Sequence, residues 1–164
     1  MEGSRVEHCY RPGPLGALVD ESGRAAMEFS RLLMDLDDAA LDRVRTAQGE
    51  LRTVRAVVEH VLMAAGIYRN LQRKALGMAT EAMGAAPGDG QALRRELESL
   101  AAQAWELLED KAHWDDDQVC AVVMDASWGQ RFDLEQLLEH ALAHVLRHRR
   151  QVERWLGSET GLHS

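Results

Sequence analysis

The sequence predicts an all-α protein built as a four-helix bundle. Four long stretches carry apolar residues at helical spacing. The three prolines, Pro12, Pro14 and Pro87, all fall in connections, and the run GAAPGDG (84–90) breaks the chain near its middle. Together these leave four breaker-free segments with one apolar face each, which can bury those faces only against one another.

Taken in order, residues 12–36 predict the first helix, with Leu15, Leu18, Ala25, Phe29, Leu32 and Leu33 on one side. Residues 37–52, DDAALDRVRTAQGELR, are polar and read as a loop with a short turn. The second helix runs from Thr53, a suitable N-cap, to about Gly84. The third covers residues 91–114. The segment 115–132 reads less clearly, with QVCAVVM as a short extended piece or a lone turn. Asp133 then caps the fourth helix, and Gln136 three residues later completes the pattern of a capping box.

At 164 residues the chain should form a single domain spanning 1–164, large enough to bury a core without disulfides, with residues 1–11 as a mobile N-terminal arm. Net charge is −8, and 17 of the 19 basic residues are arginine. That balance argues against a nucleic-acid surface, which needs clustered cations. The basic run RHRRQVER (147–154) reads as the cationic end of a helix. Two cysteines without a CxxC pairing, no long apolar run and no leader pattern point to a cytoplasmic chain that neither enters nor crosses a membrane.

The chemistry lies in the stretch LLEHALAHVLRHRRQVERWL (137–156), which holds His140, His144 and His148 four residues apart. Spacing of four stacks side chains on one helix face. On a wheel of about 100° per residue, the apolar stripe of this helix centres near 100° from His140. His148 falls near 80°, inside the stripe, and His144 near 40°, just inside its edge. His140 is marginal. A buried imidazole needs partners for its nitrogens; a stacked pair fits core packing as well as it fits a metal.

The second helix adds His60, at the edge of the inward arc formed by Val57, Val61, Ala64 and Tyr68. Three core-leaning histidines on two helices can meet at one metal ion, and a three-His set leaves coordination positions open. Competing sites fit less well. Neither HxxxH has the Glu of a zincin after its first His. Paired ExxH motifs, zinc-finger cysteine spacing and a GxSxG elbow are absent from the sequence.

The patterns VRAVVEHVLMAAGIYRNL in the second helix and LEQLLEHALAHVLRHRRQVERWL in the fourth resemble the DinB and YfiT-like superfamily of proposed metalloenzymes. The resemblance covers most of the chain, from RPGPLGALVDE to the end of the fourth helix. It implies an up-down-down-up bundle and one divalent metal held by a second-helix His and by the two His of a last-helix HxxxH ending in HRxQ. Matched residue by residue, HVLRHRRQ gives His144 and His148 as that pair, followed by Arg149 and Gln151, and His60 as the second-helix ligand. The family's usual Gly after HR is Arg150 here.

Imidazole ligands favour zinc or nickel. The resemblance further implies a homodimer and a small-molecule substrate, with thiol-dependent S-transferase or isomerase activity using a low-molecular-weight thiol such as mycothiol, bacillithiol or glutathione. A metal acidifies such a thiol so that thiolate forms at neutral pH. The other reading is a non-catalytic bundle that binds metal or senses a small molecule. The sequence names no catalytic acid or base. Tyr68 and Arg149 are the candidates for contacting substrate, although a tyrosine so placed is more often core or rim. The four tryptophans read as packing residues, Asp115–Asp117 as a solvated turn, and Cys120 as a small buried residue.

Overall fold

The computed structural model describes residues 10–159. The expected N-terminal arm, apart from Tyr10 and Arg11, lies outside the described residues, as does Cys9. The elements in order are α1 (Gly13–Leu32), α2 (Asp38–Asp42), α3 (Val54–Ala75), α4 (Gly90–Trp105), α5 (Asp116–Ala121), β1 (Met124–Asp125), β2 (Arg131–Phe132) and α6 (Leu134–Glu159), with a 3-10 turn at Glu109–Lys111.

The four long helices α1, α3, α4 and α6 pack so that α1 touches α4 and α6, and α3 touches α6 and α4. Residue pairs across these seams give the directions. Arg11 lies over the Trp105 ring, Gly23 faces Ala101, and Ser30 donates to Glu98, so α1 and α4 run antiparallel. Tyr68 meets His140 and His144 while His60 meets His144 and His148, so α3 and α6 are antiparallel too. Arg55 reaches the Gly88 carbonyl and Arg69 reaches Gln103, which makes α3 and α4 parallel. Leu15 and Val19 share a cluster with Leu134 and Leu137, and Phe29 and Leu33 share another with Val145 and Val152, so α1 and α6 are parallel. The long helices therefore alternate as up, down, down, up.

The seam between α1 and α4 is close because Gly23 has no side chain; a Cβ there would sit 2.8 Å from that of Ala101. Burial of Phe29, Leu93, Leu97, Leu108, Leu134 and Leu137 supplies the core. The Thr53 hydroxyl accepts from the Ala56 amide at 3.0 Å, and Asp133 and Gln136 exchange the two bonds of a capping box. These caps fix where α3 and α6 begin, and so fix the register of the histidines they carry.

Four expectations are corrected. The second helix ends at Ala75, not near Gly84. Gly77 adopts φ +73°, its amide bonds the Lys74 carbonyl, and the Met78 amide bonds that of Arg73, a Schellman closure. The chain then folds back as a strap pinned by Asn70, whose side chain bonds both the amide and the carbonyl of Glu81. The third helix stops at Trp105, and residues 115–132 form α5 and a hairpin pairing Met124 with Phe132 rather than a lone extended piece or a lone turn. Cys120 is exposed, because α5 turns the preceding Val119 into the core. Among the described residues, no helix is long and apolar enough to cross a membrane.

Candidate metal centre

His60 comes from the second turn of α3; His144 and His148 come from successive turns of α6. The antiparallel seam brings the three together. Ring centroids are 4.9 Å apart for His60 and His144, 4.9 Å for His60 and His148, and 4.6 Å for His144 and His148. One ring nitrogen from each lies within 4.8 Å of the others. Ligands at about 2.1 Å from one tetrahedral ion would stand about 3.4 Å apart, so small side-chain rotations close the set.

The cluster is suited to a cation in its protonation as well as its geometry. Burial, with repulsion from His148, His60, Arg147 and His140, holds the His144 imidazole down to about 3. Burial and Arg147 lower His60. Burial also lowers His148, opposed by its bond to Gln151. All three rings are therefore neutral at physiological pH and keep a lone pair.

Their second nitrogens show how the rings are set. His148 Nδ1 lies 3.1 Å from the Gln151 amide oxygen. An amide oxygen only accepts, so Nδ1 carries the proton and Nε2 keeps the lone pair. That lone pair faces Arg147 Nη2 at 3.4 Å. His144 Nδ1 is 3.5 Å from the Tyr68 hydroxyl, while its Nε2 is buried with no hydrogen-bond partner among the described residues. An orphaned buried nitrogen costs about 1–3 kcal/mol, a cost that a bound cation would offset. The residues present fit a divalent metal.

His140 stands apart. Its ring is 6.4 Å from that of His144 and packs on Phe132 at 5.1 Å and Tyr68 at 5.5 Å. Tyr68 is buried, and burial raises its hydroxyl pKa despite Arg147, so it remains a donor at neutral pH. It borders a small, partly open pocket of about 60 Å³, lined also by Val19, Gln72, Leu138, Ala141 and His144. Gln72 is 2% exposed, and its amide oxygen has no hydrogen-bond partner among the described residues.

Arg149 lies elsewhere. Its guanidinium pairs with Glu28 of α1 and, at 3.2 Å, with Glu153, tying α6 to α1. The cation that reaches the histidines is Arg147, which the sequence places in the cationic end of the helix. A wheel gives only the direction of Cβ, and an arginine stem is long enough to lay its head along a neighbouring face.

The chain is similar in structure to a protein from Exiguobacterium sibiricum 255-15 described as a proposed member of the DinB family. The TM-score is 0.54 over 87% of this chain and 89% of that one, at 17% sequence identity. The likeness establishes a shared fold. No family model matches the chain, and no curated protein matches it.

Proposed function

We propose that the chain is a DinB-like metalloprotein that binds one divalent ion through His60, His144 and His148, and that it uses the site as an enzyme. The observation that carries this reading is the triangle of neutral imidazoles, with one buried nitrogen left without a partner. The enzyme reading is favoured over a closed structural site because the cluster comprises three residues, with no Cys, Asp or Glu joining it among the described residues. Structural zinc sites are closed by four protein ligands, whereas catalytic ones keep a position open.

Zinc and nickel suit the all-imidazole set. When bound, the ion supplies Lewis acidity, lowering the pKa of a thiol or water in its open position. The chain's own groups do the rest. Gln151 holds the His148 ring in one tautomer and orientation. The Tyr68 hydroxyl sits beside His144 as a neutral donor, and the cavity lined by Tyr68 and Gln72 can admit a small apolar group. The substrate is a small molecule, and the reaction best suited to the site is transfer or isomerisation using a low-molecular-weight thiol.

The test adds mycothiol, bacillithiol or glutathione, with monochlorobimane as electrophile, to metal-loaded protein. Conjugation faster than for His144→Ala with at least one thiol supports the reading. Rates equal to that variant with all three thiols would remove the thiol chemistry. The homodimer implied by the family resemblance belongs to the same proposal, and sedimentation of a monomer at high concentration would remove it.

A further inference from the structure

Beside the three histidines, the last turns of α6 and the loop 46–51 enclose a cleft of about 660 Å³. Arg147, Arg150 and Arg154 line it from α6, with Gln151 between them and Trp155 after the last; the facing loop contributes one carboxylate, Glu50. Three cations against one anion make the cleft locally positive in a chain whose net charge is −8. A cationic helix end facing bulk water would be unremarkable. Here the row lines a cleft, and two of its lining residues, Arg147 and Gln151, contact His148.

The charges are also available. Arg150 has Glu153 at 3.8 Å, but no carboxylate pairs with Arg147 or Arg154 among the described residues. Arg147 instead donates to the Nε2 lone pair of His148 at 3.4 Å. A metal on that lone pair would take this acceptor away, leaving the guanidinium next to a dication in a cluster without carboxylates. Such a site calls for a negatively charged ligand.

We propose that this cleft binds the anionic part of the substrate, with Arg147 holding a carboxylate or phosphate next to the reacting atom and Arg154 holding a second anionic group. Residues seven apart on a helix are about 10.5 Å apart along its axis, so the ligand class is a small, extended di-anion of about that span. Leu51 of the facing loop and Trp155, next to Arg154, give the cleft its apolar wall. This assignment rests on the metalloenzyme reading for the word substrate, though the binding itself does not require metal.

The test uses metal-free protein, so that it stands apart from the metal centre. Calorimetric titrations compare suberate, a linear dicarboxylate of suitable length, with octanoate and the neutral 1,8-octanediol. Suberate should bind about tenfold or more tightly than the diol, and Arg147→Ala with Arg154→Ala should weaken it about tenfold or more. Arg131→Ala, on the hairpin, serves as the control and should change nothing. The arginine variants should keep the metal content of the unaltered protein, whereas His144→Ala should lose metal yet still bind suberate. Equal binding of diol and dicarboxylate, or suberate binding indifferent to both arginines, would overturn the cleft assignment and leave the metal reading standing.

Discussion

The imidazole Nδ1 of His148 and the amide oxygen of Gln151, one turn on in the same helix, lie 3.1 Å apart. This contact decides which nitrogen of His148 is free to bind. Gln151→Leu should leave helix content unchanged but free the ring to rotate and change tautomer. Loss of such an outer contact costs about 10–100-fold in metal affinity. Competition against a chromogenic chelator measures it; an unchanged affinity would show that His148 is oriented by its packing alone.

The metal-free protein should be acid-sensitive in a defined window. Burial lowers the pKa of His60, His144 and His148 below the ordinary imidazole value, to about 3 for His144. The unfolded chain takes up these protons near pH 6.5, while the folded chain takes them up only at lower pH. Between the two values the unfolded state binds more protons, so stability rises with pH. The contribution is fully present above about pH 6.5 and is lost as pH falls towards the folded values. Urea denaturation at about pH 7.5, 6 and 5 should show the decline, with a shallower slope for His144→Gln. Equal stability at all three values would contradict the burial of neutral rings.

Gly77 ends α3 with φ +73° and has open space around its Cα. Gly77→Ala should therefore destabilise through the backbone alone, by about 1–2 kcal/mol. Denaturant midpoints would read this directly. No loss would mean that the strap after α3 can close in another conformation.

The long helices were legible because periodicity and breakers agree over many turns, and the caps at Thr53 and Asp133 were legible because their side chains act locally. The end of α3 was missed because TEAM (80–83), rich in helix formers, outweighed the single glycine that the Schellman closure uses. Elements as short as α2, α5 and the two-residue strands leave no period to read. In the site, spacing of four exposed His144 and His148, and the inward arc of α3 exposed His60. Arg147 and Gln72 were not legible. Their roles depend on where long polar side chains end, which follows from tertiary packing rather than from position on a wheel.

On the proposed reading, three histidines, and not the fourth beside them, hold one divalent ion. Metal analysis of untagged protein, reconstituted with zinc or nickel and then desalted, tests it most directly. About one ion per chain is expected for the unaltered protein and for His140→Ala, and about a tenth of that or less for His60→Ala, His144→Ala and His148→Ala. Circular dichroism should show all four variants folded. A metal content near zero in the unaltered protein after reconstitution, or its loss in His140→Ala alone, would show that these three histidines do not hold the ion.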